Sequence, residues 1–233
     1  MKHEHSILYG PFNRLVHPLL GFDVPDHVIM ALLVLLISCV LFPLASRRFS
    51  RDNPGAFQHF LEVIVSGLKD LIEDIIGHGA SKKYLYIIGG FASFIFVSNL
   101  FGLFFFLQPP TGNPNTTFGL GLTAFLYYNW QGIRTQGLGH YLKHFMGPMP
   151  LLAPLMLPIE LIGHLARILS LGMRLFGNIF GEHTATGIFM GMLPFVLPWP
   201  MMGLGIFGAL LQTFVFIMLT MVYIGGAVTA EEH

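Results

Sequence analysis

Residues 159–192 read IELIGHLARILSLGMRLFGNIFGEHTATGIFMGM, an apolar run in which four full charges are embedded. These charges are Glu160, Arg167, Arg174 and Glu182. A guanidinium cannot lose its proton to become tolerable in lipid, and its insertion near the centre of a bilayer costs roughly 2.5 to 3.5 kcal/mol on the gentlest scale. Arg174 therefore has to face a polar partner or a water-filled cavity.

The composition predicts a polytopic membrane protein. Hydrophobic residues make up 54% of the chain and charged residues only 10%, whereas soluble domains carry about 25% charged residues. The formal net charge is zero, so nothing indicates a nucleic-acid partner. The single cysteine, Cys39, excludes an internal disulfide and a cysteine-rich metal site.

Five apolar stretches predict transmembrane helices, at residues 27–45, 84–107, 116–130, 159–192 and 201–228. Residues 54–79 instead alternate apolar and charged faces at helical spacing, which predicts an amphipathic helix on the membrane surface. The expected fold is thus an all-α membrane protein with about five transmembrane helices and one interfacial helix. We expect residues 1–26 to be an external segment, because they lack the apolar core of a secretory signal, and residues 27–233 to form a single membrane domain.

The last two helices are predicted to be long and tilted. At 1.5 Å per residue, residues 159–192 would span about 51 Å, whereas a bilayer core is only about 30 Å thick. Pro194, Pro198 and Pro200 then break the chain before the final helix. Residues 159–229 are therefore expected to form a tilted antiparallel hairpin.

Basic residues predict the orientation of the chain. Arg47, Arg48 and Arg51 follow the first span, and Lys82 and Lys83 precede the second. Since cytoplasmic loops carry an excess of Lys and Arg, the N-terminus is expected outside and the C-terminus in the cytoplasm.

One face of the charged helix is polar along its length. A step of seven residues returns within about 20 degrees on a helix, so Glu160, Arg167 and Arg174 share a stripe, to which Asn178 also belongs. Such a stripe lines a wet path or contacts a polar protein surface, and an ion pair of Arg174 with Glu160 or Glu182 is the structural alternative.

Small residues accompany the stripe and predict close packing of a neighbouring helix. They are Gly163, Ser170, Gly177 and Gly181, the last two forming a GxxxG pair. Because these residues are small, a second protein could pack closely against the helix beside Arg174.

Other titratable groups lie off the stripe. His183 is about 180 degrees from Arg174 around the helix and Glu182 about 80 degrees, which favours two separate aqueous pathways with Arg174 between them. Gln212 is the one strongly polar side chain of the last helix. It comes level with Arg174 if the hairpin turn is centred near Leu193, and fails to do so if the centre lies near Pro200.

A resemblance to a known family rests on the run SLGMRLFGN at residues 170–178. This run resembles the S-L-x-x-R-L-F-G-N signature of the a subunit of F-type ATP synthases. The similarity continues with NLFGL at residues 99–103, PIEL at residues 158–161, Gln212 in the last helix and the terminal residues 231–233.

The resemblance implies a stator subunit that conducts protons through two offset half-channels. In such proteins two tilted helices wrap around a rotating ring of c subunits, each of which carries a buried carboxylate. The essential arginine of the family matches Arg174, Glu160 and Asn178 match positions of the proton path, and Gln212 matches the partner of the arginine.

The same resemblance implies partners and a location. The expected partners are the c-subunit ring, the b subunits of the peripheral stalk, the other ATP synthase subunits and the lipid bilayer, with no cofactor and no small-molecule substrate other than H⁺. A bacterial inner membrane is expected, with the chain crossing several times. Na⁺ remains the alternative coupling ion, because the ring's binding site selects the ion.

Two positions depart from a common bacterial pattern of this family. Histidine stands at His183, where many bacterial members carry glutamate, and Gly205 stands where some members have an ionisable group. His183 is therefore expected to take over a relay role, with a structural pair between Glu182 and His183 as the alternative. Arg167 has a structural or interfacial role as its alternative, and Gln212 a simple hydrogen bond to a neighbouring helix.

Rival functions have weaker support. A self-contained ion channel or secondary transporter would also bury Arg and Glu, but transporters often contain inverted repeats and none is visible. A metalloenzyme is disfavoured because His140 and His144 lack a third ligand, so no metal is expected. No GxxxxGK loop occurs, so the chain is not expected to be an enzyme by itself.

Overall fold

The computed structural model describes residues 6, 9–21, 23–46, 49, 55–104, 107–139, 141, 153–192 and 198–228. Within these ranges the chain is helical and contains no β-strand. The helices are α1 (Tyr9–Leu20), α2 (Asp26–Ser46), α3 (Ala56–Ile76), α4 (Ser81–Phe101), α5 (Pro114–Gln136), α6 (Ala153–Met192) and α7 (Pro198–Val228), with a 3₁₀ turn at Pro110–Gly112. The prediction of an all-α fold is confirmed.

Three helices of the described chain are long and apolar enough to cross a membrane, over Ser81–Phe101, Met156–Gly191 and Trp199–Val228. A shorter apolar stretch, Asp26–Val40, lies in α2, and α5 occupies the position of the remaining predicted span. Together with the many exposed apolar side chains of these helices, this makes the chain a membrane protein, as predicted.

Local capping residues set the ends of α5, which is longer than the predicted span at residues 116–130. The side chain of Asn113 accepts a hydrogen bond of 2.9 Å from the backbone N–H of Asn115, and Pro114 occupies the first helical position, where its missing N–H costs nothing. Gly137, at φ 80, ends the helix because a residue without a Cβ adopts this left-handed conformation without strain. The Asn-Pro start and the glycine stop therefore extend the helix at both ends.

Helix α6 begins at Ala153, so the prediction of a start near Ile159 is wrong by six residues. Pro154 falls in the first turn, where proline is tolerated, and Pro158 inside the helix removes only one bond near its end. With 40 residues in α6, the helix is about 60 Å long at 1.5 Å per residue. It exceeds the bilayer core of about 30 Å twofold and has to tilt.

The core lies among α4, α5, α6 and α7, with α3 packed on α4 and α7 and α2 packed on α4. Fully buried side chains from these helices meet there, among them Ile72, Tyr84, Ile88, Ile95, Tyr128, Leu175, Phe216, Met221 and Ile224. Close approach of α5 to α6 depends on two glycines: a Cβ on Gly121 would lie 3.1 Å from the backbone oxygen of Ile168, and one on Gly172 would lie 2.6 Å from the Phe118 ring.

The N-terminal segment contains a helix that the sequence reading did not predict. Helix α1 is held against the start of α2 by Asn13, whose side chain accepts a 2.9 Å hydrogen bond from the backbone N–H of Val24 and donates one of 3.2 Å to the Val24 carbonyl. Ser6 donates its backbone N–H to the Asp26 carboxylate at 2.7 Å. The segment is thereby fixed beside the first predicted span.

Helix α3 is amphipathic, but its apolar side is covered only in part. Its C-terminal half buries Ile72 and Ile76 against α4 and α7, whereas Phe57, Phe60 and Val63 in the N-terminal half are exposed. Its position in the membrane interface stays a prediction. Arg47, Arg48 and Arg51, on which the predicted orientation rests in part, lie outside the described residues, as do His140 and His144.

Candidate functional site

The register of the hairpin between α6 and α7 places the polar residues of the two helices opposite one another. Asn178 donates a 2.6 Å hydrogen bond to the side-chain oxygen of Gln212, and the Arg167 guanidinium lies 5.2 Å from the centre of the Tyr223 ring. The two residues of each pair are equally far from residue 195 along the chain. This register lies between the two alternatives considered for the sequence, of which one pairs Gln212 with Arg174 and the other does not.

This register puts Gln212 level with Asn178 and one helical turn away from Arg174. Gln212 is buried, with 3% of its surface exposed, so its amide needs a hydrogen-bond partner inside the protein. Asn178 supplies that partner from the edge of the hairpin. Gln212 therefore forms a hydrogen bond between the two helices, and its partner is Asn178 of the polar stripe.

Arg174 is exposed on the outer face of α6. Among the described residues it has no ion pair with a carboxylate, while Glu160 is taken by Arg167 and His164. Exposed apolar side chains surround it on the same helix, including Leu169, Met173 and Phe180. A fixed charge in such a setting is costly in lipid and requires a partner from outside the described part of this chain.

The small residues of α6 border the same open face. A Cβ built on Gly163, Gly177 or Gly181 would meet no described atom within 4 Å, and Ser170 is exposed, with its hydroxyl donating to the Arg167 carbonyl at 3.1 Å. Their predicted close packing is therefore not against the described helices of this chain. The glycine of α6 that packs closely inside the chain is Gly172, which the sequence reading did not single out.

The Glu182 carboxylate occupies the space above Gly205 of α7. A Cβ on Gly205 would overlap the Glu182 side chain and would lie 2.7 Å from a methyl group of Leu103, whereas a Cβ on Gly208 would lie 3.7 Å from the same carboxylate. Gly205 departs from the common bacterial pattern of the family. Because it has no side chain, there is room for the Glu182 carboxylate.

A cavity of 680 Å³ adjoins His183. Its wall is formed by Tyr9, Pro25, Asp26, His27, Gln108, Pro109, Gly112, Asn113, Phe176, Ile179, Phe180 and His183. The imidazole Nε2 of His183 lies 3.0 Å from where a Cβ of Gly102 would be, so the glycine after α4 gives the ring its place. Helix α1 contributes to this cavity through Tyr9, which no sequence signal indicated.

A second cavity, of 310 Å³, lies toward the opposite end of α6. It is lined by Tyr128, Gln136, Tyr141, Glu160, His164, Arg167, Val222, Tyr223, Gly226 and Ala227. Here Glu160 lies 3.3 Å from Nε2 of His164 and 3.9 Å from the Arg167 guanidinium. Arg167 therefore contacts both Glu160 and Tyr223 within this chain, and the choice between a functional role and a structural or interfacial one stays a prediction.

Sequence reasoning missed two polar residues of this cavity, His164 and Tyr128. The Tyr128 hydroxyl lies 2.8 Å from Nδ1 of His164. The four-residue step from Glu160 to His164 was a usable signal, because such pairs are neighbours on a helix. Tyr128 comes from another helix, and its approach depends on the packing of α5 on α6. The described residues contain no group of three or more side chains suited to a metal ion.

The fold and the site define a polytopic helical membrane protein in which an exposed arginine lies, along α6, between two cavities that polar side chains line in part. The family model described as ATP synthase A chain matches residues 28–225. The chain is 44% identical to the ATP synthase subunit a of Solibacter usitatus over 208 residues, covering 89% of this chain and 88% of the relative. It is 42% identical to that of Nitratiruptor over 89% of this chain and 90% of the relative. With that of Geobacter sp. strain M21 it shares 39% identity over 100% of this chain and 99% of the relative.

The chain belongs to the ATP synthase A chain family. It is accordingly a membrane subunit of the Fo sector of an ATP synthase, and its function is in ion transport.

Proposed function

We propose that this chain is the stator subunit that conducts protons through two offset half-channels, to and from the buried carboxylates of a rotating c-ring. The observation that carries the proposal is the setting of Arg174, a fixed charge on an exposed face of α6 with no carboxylate partner among the described residues. A visiting acid of another subunit is the partner that such a charge requires.

Arg174 would keep the visiting carboxylate ionised. An opposite charge within about 4 to 6 Å lowers the pKa of a carboxyl group by about 1 to 3 units. The carboxylate thus gives up its proton on one side of Arg174, and the next ring site takes up a proton on the other side. The guanidinium never loses its own proton, so it blocks direct leakage between the two sides.

The two cavities support the offset paths. Glu160 of the smaller cavity and His183 of the larger one lie 14 and nine residues from Arg174, or about 21 and 14 Å along the helix. They lie on opposite sides of the arginine, and Glu182, Asn178 and Gln212 fill the interval on the His183 side. In this proposal each cavity serves one side of the membrane, and a moving carboxylate carries the proton between them, so that ion passage is converted into rotation.

The proposed orientation puts the N-terminus outside and the C-terminus in the cytoplasm of a bacterial inner membrane. The His183 cavity then opens outward, and the Glu160 cavity opens to the cytoplasm, the side that the basic residues Lys82, Lys83 and Arg134 indicate. A membrane potential supplies about 2.3 kcal/mol per charge per 100 mV, which drives rotation in one direction or resists it in the other.

The proposed partners are the c-ring against the Arg174 face, the b subunits of the peripheral stalk, the remaining ATP synthase subunits and the surrounding lipid. The substrate is H⁺, with Na⁺ as the alternative. The chain holds no cofactor in this proposal and carries out no nucleotide chemistry.

Cross-linking tests whether the Arg174 face meets the ring. In a Cys39→Ser background, Met173→Cys places a thiol beside Arg174, because Met173 is 55% exposed on that face. In assembled complexes we expect it to cross-link to single cysteines on the outer helix of the c subunit. The matched control is Leu36→Cys on α2, which is 62% exposed and is expected to form no such product.

The outcome separates the proposal from a self-contained channel. A channel that works alone has no reason to hold a c subunit against Met173. Absence of the c-subunit product in a fully assembled complex, or equal cross-linking from Leu36, would contradict the proposal.

A further inference from the structure

A buried histidine lies at the base of the smaller cavity and is not among the residues that the proposed mechanism uses. His164 is 6% exposed and lies between α5 and α6, with its ring stacked on Tyr128 at 5.8 Å and edge-on to Phe125 at 5.9 Å. A buried imidazole needs partners for both nitrogens. It finds them in the Tyr128 hydroxyl at 2.8 Å and the Glu160 carboxylate at 3.3 Å.

The chemistry of these partners restricts the proton positions. An ionised carboxylate only accepts hydrogen bonds, so Nε2 carries a proton toward Glu160. A phenol both donates and accepts, so Tyr128 donates to Nδ1 of a ring protonated only on Nε2 and accepts from Nδ1 of a ring that carries a proton there. The three groups therefore accommodate either protonation state of His164 without an unsatisfied atom.

We propose that His164, oriented by Tyr128, positions the Glu160 carboxylate and shares its exchangeable proton, so that the three residues form the proton-exchange station of this half-channel. The inference rests on the proposed function of the cavity. In the exchange step the Nε2–H bond of the imidazolium breaks and an O–H bond forms on Glu160. The ring is left neutral with its remaining proton on Nδ1, which the Tyr128 hydroxyl accepts, and Glu160 passes its proton to water in the cavity. In the reverse direction Glu160 takes a proton from water and returns it to Nε2, which forms the imidazolium again.

The other groups that face His164 and Glu160 cannot take over this exchange. Arg167 keeps its proton at all relevant pH values, and Tyr223 is in contact with that guanidinium. Burial raises the pKa of Tyr141 to about 12, and its hydroxyl donates to the Asn129 side chain at 2.6 Å. Lys and Asp do not occur among the residues that line this cavity. His164 is thus the group of the cavity wall whose ordinary pKa, about 6.5, lies near neutral pH.

Two isosteric substitutions separate the roles of the two ring nitrogens. His164→Gln keeps an N–H donor where Nε2 reaches Glu160, and His164→Asn keeps only a group near Nδ1. In inverted membrane vesicles, whose outer face corresponds to the cytoplasmic side, we measure the initial rate of ATP-driven proton pumping against the pH of the medium. All rates are divided by the amount of assembled complex.

We expect His164→Asn to pump about tenfold more slowly, since one hydrogen bond to a charged group is lost. His164→Gln is expected to keep most of the rate but to lose the pH inflection that the wild-type imidazole produces, because an amide does not titrate. Tyr128→Phe is expected to shift that inflection, because the ring then loses the partner of Nδ1. The matched control is Tyr84→Phe, which also removes a buried hydroxyl. That hydroxyl has no hydrogen-bond partner in the described chain, so the pH profile is expected to stay unchanged.

The inference would be overturned if both His164 variants had the pumping rate and the pH profile of the wild type. It would also be overturned if both variants lost the same fraction of the pumping rate and kept the inflection. Arg174→Ala in the same vesicles separates this inference from the proposed function. Normal pumping by Arg174→Ala would refute the proposed function itself. If Arg174→Ala does not pump but the His164 variants pump like the wild type, only the role of His164 is refuted.

Discussion

The contact between Glu182 and Gly205 gives the sharpest steric prediction. Gly205→Ala adds one methyl group where the Glu182 carboxylate and a methyl group of Leu103 already lie. To restore ordinary van der Waals separation, the carboxylate has to move by about 1 Å or more. Both neighbours are the far ends of flexible side chains, so the change displaces the acid without forcing apart the backbones of α6 and α7.

Stability and activity are expected to separate in this variant. Overpacking costs about 1 to 3 kcal/mol, and replacing glycine by alanine inside a helix returns about 1 kcal/mol. The complex should therefore assemble. Misplacing a reacting group by 1 Å can cost about 100-fold in rate, so we expect proton pumping to fall by at least about tenfold.

Gly208→Ala is the matched control, because it lies one turn away on the same helix and its Cβ would lie 3.7 Å from the same carboxylate. ATP-driven acidification of inverted vesicles, followed by quenching of a pH-sensitive dye, measures both variants. We expect Gly208→Ala to pump like the wild type. If Gly205→Ala does so as well, the position of the Glu182 carboxylate does not matter and the acid has no part in the proton path.

Three further outcomes are expected. Gln212→Leu removes the hydrogen bond that the exposed Asn178 amide donates, a net loss of about 0.5 to 1.5 kcal/mol, and should slow pumping in vesicles; an unchanged rate would argue against a role in the path. Gly132→Ala would bring a Cβ to 2.6 Å from the Tyr141 ring and should lower the thermal stability of the purified complex, whereas Gly119→Ala, with open space around it, should not; equal melting temperatures would refute the packing argument. His183→Ala should slow proton flux, and flux equal to that of the wild type throughout about pH 6 to 8 would reduce His183 to a structural residue.

The sequence was sufficient to predict the helices and the polar stripe, because both depend on local periodicity. The apolar runs and the prolines before α7 located the hairpin, and the seven-residue steps placed Glu160 and Arg167 close enough to pair at 3.9 Å. The start of α6 was misplaced, since prolines are accepted in a first turn, and α1 was missed because its short amphipathic pattern resembled an irregular segment.

The cavities could not be predicted, because they depend on contacts between distant residues. Tyr128 reaches His164 only since Gly121 and Gly172 allow α5 and α6 to approach closely. The space for Glu182 depends on the register that brings Gly205 opposite it. The packing of the two helices sets this register. From the sequence alone, two registers were possible, one with the turn centred near Leu193 and one with it centred near Pro200.

The most direct test of the central claim is proton pumping by complexes that carry Arg174→Lys beside Arg174→Ala. A lysine keeps a positive charge but can lose its proton in an apolar setting, whereas arginine cannot. We predict that both variants assemble and that neither couples ATP hydrolysis to acidification of the vesicles. Wild-type pumping by either variant would contradict the claim that the guanidinium at this position, which has no carboxylate partner in the described part of the chain, controls the exchange.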